Sequence, residues 1–117
     1  MTTSVKLLHN PRCSKSRQAL QLLESNGVNP VVMEYLKHPP SEQELTQILE
    51  LLGLEPRELM RTHEKPYKEN SLDDPGLSRE DLIRAMAEYP ILIERPIMFH
   101  KGKAVIGRPP EKILEIL

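Results

Sequence analysis

The fold is organised around the stretch His9-Asn10-Pro11-Arg12-Cys13-Ser14-Lys15-Ser16-Arg17. It follows the apolar run Val5-Lys6-Leu7-Leu8, which predicts a buried strand, and it precedes apolar residues that recur at helical spacing between positions 19 and 23. The only cysteine of the chain, Cys13, is therefore expected at the start of a helix. The first NH groups of a helix have no partners within it and carry a partial positive charge, which stabilises a thiolate. We interpret Cys13 as a nucleophile.

The polar surroundings of this cysteine support that interpretation. A lone cysteine is often a small buried apolar residue, but such a residue is expected among apolar neighbours. Here three basic side chains are expected to lower the pKa of the thiol, namely Arg12, Lys15 and Arg17. The hydroxyl groups of Ser14 and Ser16 can donate either to the sulfur or to a bound anion. Both possibilities stay open at the level of sequence.

Length and composition restrict the function further. The 117 residues suit one domain, and 16 basic against 17 acidic residues give a net charge of −1, which argues against nucleic-acid and membrane partners. One cysteine cannot form an internal disulfide, no signal peptide is recognisable, and no apolar run approaches the roughly 20 residues that span a bilayer. We therefore expect a cytoplasmic protein.

The order of predicted elements gives the fold class. Strands at about 5–8 and 31–36 flank a helix at about 14–26, so this β-α-β unit should have parallel strands. Two further strands, at 96–100 and 104–106, precede a last helix after Pro109-Pro110. The sequence predicts an α/β fold, a thioredoxin-like four-stranded mixed sheet in a single domain over 1–117, with a helical insertion at about 41–89 between the β-α-β and β-β-α halves.

The insertion carries its own helix signals. Capping boxes at Ser41 and Ser78 each predict a helix start, and Pro56 predicts a short helix that ends near Arg61. The polar connection over residues 62–70 is expected to be a surface loop or a frayed helical turn.

Four separated blocks resemble the glutaredoxin-coupled arsenate reductase family, the ArsC type with a thioredoxin-like fold. They are residues 9–17, Glu58-Leu59-Met60-Arg61, Ile93-Glu94-Arg95-Pro96-Ile97 and Ile106-Gly107-Arg108-Pro109. The resemblance implies that Cys13 attacks arsenate and that three arginines hold the oxyanion: Arg61, Arg95 and Arg108. It also implies a cis peptide bond between Arg95 and Pro96. Arginine suits this role because its planar fork donates two parallel hydrogen bonds and stays charged.

His9, Ser16 and Pro96 are expected to support this site. His9 matches the family's histidine, and it either promotes the thiolate of Cys13 or fixes the loop as a partly buried structural residue. The other histidines, His38, His63 and His100, are expected at the surface and lack metal-ligand spacing with Cys13, so no metal is expected. Thr62-His63 departs from the Lys-Asn pair expected after the first arginine, which leaves the substrate range open.

A single cysteine requires an external thiol to complete a reductive cycle. The resemblance implies glutathione as co-substrate and glutaredoxin as protein partner, with arsenate as substrate and no bound cofactor; we expect a monomer. Two alternatives remain: a glutathione-dependent thiol oxidoreductase with low arsenate activity, and a non-catalytic regulator related to the family branch that binds RNA polymerase. Three oxyanion-binding arginines would favour the reductase, since neither alternative needs them.

Overall fold

The computed structural model describes residues 4–117. The chain forms two compact units: the described residues up to His38 together with Arg95–Leu117, and the segment Pro39–Glu94. The second unit corresponds to the predicted helical insertion and its flanking residues. No helix within residues 4–117 is long and apolar enough to cross a membrane.

The first unit is built on a four-stranded mixed sheet. Its strands are β1 (Lys6–His9), β2 (Val31–Glu34), β3 (Ile97–His100) and β4 (Lys103–Ile106), in the order β2-β1-β3-β4. The pair β1 and β2 is parallel, whereas β3 is antiparallel to both β1 and β4. The predicted fold class, a thioredoxin-like mixed sheet with a helical insertion between its two halves, is confirmed.

Helix α1 (Ser14–Ser25) and a 3-10 helix (Pro110–Ile116) complete the first unit. Side chains from both pack with the sheet in an aliphatic core made of Val5, Leu7, Ala19, Leu23, Met98 and Ile113. The sequence predicted an α-helix for the last element, but its turns are tighter. The segment is short, and its first hydrogen bond, from Lys112 N to Pro109 O at 3.0 Å, reaches back only three residues, as in a 3-10 helix.

The second unit is helical, as predicted. It contains α2 (Glu42–Leu52), α3 (Pro56–Leu59), α4 (Lys65–Glu69), α5 (Arg79–Glu88) and a 3-10 turn (Pro90–Leu92). Helix α4 lies in the polar connection for which a loop or a helical turn was expected. Ser41 and Ser78 form the predicted capping boxes, with Glu44 and Asp81 as their partners.

Helix α3 ends at Leu59, two residues before the predicted end near Arg61. Met60 takes an extended conformation (φ −90°, ψ 142°) and forms an antiparallel bridge with Ile93. On either side of that bridge, Arg61 N donates to Leu92 O at 2.7 Å and Glu94 N donates to Leu59 O at 2.8 Å. This pairing replaces the last helical turn, and it fixes Arg61 and Glu94 on adjacent segments of backbone.

Candidate active site

The loops that carry Cys13, Arg95 and Arg108 meet at one end of the sheet in the first unit. Strand β1 ends four residues before Cys13, and its pairing of Leu8 with Ile97 places the start of antiparallel β3 beside that end. Ile97 also pairs with Ile106, so the end of β4 lies there too. Strand register therefore brings together residues that are 82 and 95 positions apart from Cys13 in the sequence.

Cys13 is the N-cap residue of α1. Its backbone is extended (φ −93°, ψ 123°), its N donates to Asn10 O at 3.0 Å, and its O accepts the first helical bond from Arg17 N at 3.0 Å. The thiol is partly exposed and free of any disulfide. The predicted position of the cysteine at a helix start is confirmed.

The surroundings of the sulfur favour its ionised form. Burial of the thiol raises its pKa, but the NH groups of the first helical turn and the Arg95 side chain together outweigh that effect, so the pKa of Cys13 lies below its usual value. The pKa is lowered by the backbone NH of Ser16, by a hydrogen bond from the Arg95 side chain and by the backbone NH of Lys15, and the charge of Arg95 acts in the same direction. Cys13 therefore has the environment of a nucleophilic thiolate.

Arg95 and Arg108 both lie beside Cys13, and a hydrogen bond joins them to each other. Arg95 is buried (8% exposed), and its carbonyl oxygen accepts from Arg108 Nη1 at 3.1 Å. The same Nη1 lies 4.0 Å from Cys13 Sγ. The Arg95-Pro96 peptide bond is cis, as the resemblance implies, and the Arg108-Pro109 bond is also cis.

Gly107 lets these two loops approach closely. A Cβ atom at this position would lie 2.9 Å from Cγ of Pro96 and 3.1 Å from Cγ2 of Ile113. Both distances are shorter than a comfortable contact between carbon atoms, which is about 3.5 to 4.0 Å. The glycine in the Ile106-Gly107-Arg108-Pro109 block is thus required by packing beside Pro96.

His9, Asn10 and Ser16 form a buried network beneath the cysteine loop. Ser16 Oγ accepts from Asn10 N at 3.0 Å and lies 2.6 Å from His9 Nδ1. Burial lowers the pKa of His9, with Arg17 acting in the same direction and Glu34 opposing it. This network favours the loop-fixing role among the two left open for His9, whose Nδ1 is in hydrogen-bond contact with Ser16 Oγ.

The structure corrects the expected role of the Ser16 hydroxyl. Its Oγ contacts His9 and Asn10, and the backbone NH of Ser16 is the group that lowers the pKa of the Cys13 thiol. A local sequence pattern cannot distinguish these two groups, because the choice depends on how the first turn of α1 is oriented. Ser16 therefore supports the site from two directions.

The basic neighbours of Cys13 also act differently from the expectation. Arg12 is exposed, Arg17 Nη1 donates to Pro11 O at 2.9 Å, and Lys15 lowers the thiol pKa through its backbone NH. The charge that lowers the thiol pKa is that of Arg95, which is distant in sequence. Of the other histidines, His100 is buried, contrary to the prediction, because it lies on β3 and its Nδ1 is 2.8 Å from Ile116 O.

Arg61 lies in the second unit, where acidic side chains surround its guanidinium. Nη1 is 2.8 Å from Glu94 Oε1, Nε is 3.2 Å from Glu64 Oε2, and Nη2 is 3.2 Å from His63 Nε2. Burial of the Arg61 guanidinium lowers its pKa, but the hydrogen bonds and negative charges of Glu94 and Glu64 together outweigh that effect. The pKa of Arg61 therefore lies above its usual value, and the side chain stays protonated. Its binding of an oxyanion stays a prediction from the resemblance.

Sequence reasoning did not single out Asn10, Glu64 or Glu94. Asn10 lies within residues 9–17 and Glu94 directly precedes Arg95, so their closeness to motif residues was the one feature of the sequence that could have indicated a role. The partner of Glu94 is 33 residues away, however, and nothing in the local pattern points to it.

The ArsC family model matches residues 8–116. This chain belongs to the ArsC family. A protein from Vibrio cholerae described as an arsenate reductase has a solved structure that covers all of both chains, with a TM-score of 0.97 and 52% identity. The family that the four sequence blocks resemble is thereby confirmed, together with its thioredoxin-like fold.

Relatives in sequence cover the ArsC chain equally well. An uncharacterised Escherichia coli K12 protein, YfgD, is 54% identical over 118 residues that cover 100% of this chain and 99% of its own. A Neisseria meningitidis protein named arsenate reductase is 49% identical and covers 97% of each chain. These similarities extend over the whole ArsC domain and are not limited to the cysteine motif.

Proposed function

We propose that this ArsC protein is an arsenate reductase that uses Cys13 as its nucleophile and takes reducing equivalents from glutathione and glutaredoxin. The observation that carries the proposal is the placement of Cys13 at the N-cap position of α1, with Arg108 Nη1 4.0 Å from its sulfur and with a thiol pKa that the NH groups of the first turn and Arg95 lower. The names of the relatives from Vibrio cholerae and Neisseria meningitidis support arsenate as the substrate. The thiol donors are inferred from the single cysteine and from the family resemblance.

The first chemical step is attack by the Cys13 thiolate on the arsenic of bound arsenate. A sulfur-arsenic bond forms, and one oxygen leaves as water after taking up protons, while arsenic stays in the +5 state. Arg95 and Arg108, which lie at the sulfur, supply fixed positive charge for the oxyanion in this step. Arg61 is proposed as the third arginine that binds the oxyanion.

The second step requires an external thiol, because Cys13 is the only cysteine of the chain. The glutathione thiolate attacks the Cys13 sulfur and forms a disulfide bond. The sulfur-arsenic bond breaks with its electron pair on arsenic, so arsenic is reduced from +5 to +3 and leaves as arsenite. A glutaredoxin thiolate then attacks the mixed disulfide and releases Cys13 as a thiolate. This cycle suits a reducing compartment such as the cytoplasm.

A coupled assay tests the proposal. Oxidation of NADPH is followed in the presence of glutathione reductase, glutathione, glutaredoxin and the protein, with and without arsenate. We expect a signal that depends on arsenate and disappears when glutathione is omitted. If Cys13 reacts with thiol reagents but arsenate adds no NADPH oxidation, the protein is better described as a thiol oxidoreductase, and reduction of a glutathione mixed disulfide becomes the activity to measure.

A further inference from the structure

The side chains of His63, Glu64 and Glu94 form a seat for the Arg61 guanidinium. Each contacts a different nitrogen: Glu64 the Nε, Glu94 the Nη1 and His63 the Nη2. Because a guanidinium carries only donors, His63 Nε2 is the acceptor in its contact. Three contacts at three corners of a planar group fix both its position and the orientation of its plane.

This arrangement differs from an ordinary surface ion pair. Arg79 and Glu55, in the same unit, share one contact at 3.2 Å, and their side chains are 38% and 77% exposed. Such a pair contributes little because water competes for it. The Arg61 side chain is only 12% exposed and meets two carboxylates, which are 23% and 26% exposed.

Backbone pairing holds the seat together. Glu94 is 33 residues from Arg61, and the bridge between Met60 and Ile93 joins their segments. Arg61 N and Glu94 N are both donors in the hydrogen bonds that flank this bridge. Glu64 and His63 follow Arg61 in the chain, and Glu64 N donates to Arg61 O at 3.2 Å. The two sides of the seat are therefore set by backbone geometry as well as by charge.

We propose that Glu94, assisted by Glu64, is a positioning residue that holds the Arg61 guanidinium in one fixed orientation and thereby favours its binding of the oxyanion. This inference rests on the proposed function, in which Arg61 binds arsenate. An arginine on a free stem loses rotamer entropy when it binds a ligand, whereas one that is already held loses less. The two carboxylates reduce the net positive charge near Arg61, but they also fix the position and orientation of its guanidinium.

The test compares four variants: Glu94→Ala, Glu94→Gln, Glu64→Ala and the control Glu88→Ala. Glu88 is an exposed carboxylate on α5 of the same unit. Two quantities are measured for each variant: KM and kcat for arsenate in the coupled assay, and the arsenate concentration that protects Cys13 from alkylation. The second measures binding without turnover.

We expect Glu94→Ala to raise both the KM for arsenate and the protecting concentration about tenfold, because an arginine that must be ordered on binding weakens the affinity by up to about that factor. Its kcat should change less. Glu94→Gln keeps an oxygen that accepts from Nη1, so it should restore most of the affinity. Glu64→Ala should give a smaller increase, and Glu88→Ala none.

A double-mutant cycle makes the assignment specific. If Glu94 acts through Arg61, then Glu94→Ala should have no further effect on arsenate protection in an Arg61→Ala background. Equal effects of Glu94→Ala in both backgrounds would overturn the proposal. Lower KM values in both Glu94→Ala and Glu94→Gln would also overturn it, because the carboxylate would then compete with the oxyanion for Arg61.

The same measurements separate this inference from the proposed function. Protection of Cys13 by arsenate without turnover would contradict only the reductase, and the protecting concentrations would still decide the role of Glu94. No protection in the wild-type protein would contradict both. Unchanged protection in Glu94→Ala, together with a lower stability, would reduce Glu94 to a structural ion pair and overturn the inference alone.

Discussion

Helix α1 in the first unit and helices α2 and α5 in the second begin in the same way but use their first NH groups differently. The three N-cap residues, Cys13, Ser41 and Ser78, all have extended backbone conformations. Ser41 Oγ accepts from Glu44 N at 3.1 Å, and Ser78 Oγ accepts from Asp81 N at 3.1 Å. At α1 the side chain of Cys13 makes no such cap bond, and the backbone NH groups of Ser16 and Lys15 instead lower the pKa of its thiol.

The comparison shows two uses of one physical property. The NH groups at a helix start need acceptors, and a serine hydroxyl satisfies them while adding about 1 kcal/mol to stability. A thiolate also satisfies them, but the benefit is then a lower thiol pKa and a reactive group. The start of α1 lowers the pKa of a reactive thiol, whereas the capped starts of α2 and α5 stabilise their helices.

Replacement of the cysteine should have the largest effect. Cys13→Ser removes the nucleophile, so arsenate-dependent NADPH oxidation should fall to the background rate. Because serine is a preferred N-cap residue, the variant should fold and retain its thermal stability at mildly acidic pH. Circular dichroism with thermal melting provides the control. Retained turnover in Cys13→Ser would contradict the role of Cys13.

Removal of the long-range charge should have the next largest effect. Arg95→Met deletes a hydrogen bond and a positive charge that lower the pKa of Cys13, so that pKa should rise. The rate of alkylation by iodoacetamide at neutral pH should fall several-fold, and its midpoint should move to higher pH.

The matched control for this variant is Arg12→Met, since Arg12 adjoins Cys13 in sequence but is exposed. We expect it to leave the alkylation profile near that of the wild type. Equal shifts in both variants would mean that general positive charge, and not the placement of Arg95, lowers the thiol pKa.

Loss of the serine caps should have a moderate effect on stability. Ser41→Ala and Ser78→Ala should each lower the free energy of unfolding by about 1 kcal/mol, because an NH group at the helix start loses its acceptor. Chemical denaturation measures the change. The alkylation profile of Cys13 should stay as in the wild type, and a cap variant with unchanged stability would contradict the comparison.

The smallest effect concerns His9, which lies below the cysteine loop. Its lowered pKa means that the unfolded state binds the extra proton more readily, so the stability due to neutral His9 is complete above about pH 6.5 and is lost as the pH falls toward the folded-state value. His9→Gln does not titrate in this range. Its stability should therefore depend less on pH than that of the wild type.

Unfolding by urea at several pH values below and above 6.5 tests this prediction, and His38→Gln, at an exposed site, is its control. Parallel stability curves for the wild type and His9→Gln would show that His9 titrates alike in the folded and unfolded states.

Local patterns were sufficient to predict much of the molecule. The start of α1 at Cys13, the capping boxes of α2 and α5, and the four strands in their order all depend on residues a few positions apart. Failures occurred where neighbouring segments override the local preference. Helix α3 stops early because Met60 pairs with Ile93, and His100 is buried because the chain end packs against it.

The sequence by itself determined that one cysteine stands at a helix start, because hydrophobic periodicity and capping act over a single turn. Only the tertiary structure decided which charges act on it. Arg95 reaches the sulfur through the register of β1 and β3, and Arg61 meets Glu94 through a bridge between distant segments. Such contacts depend on how whole strands align, which no short stretch of sequence specifies.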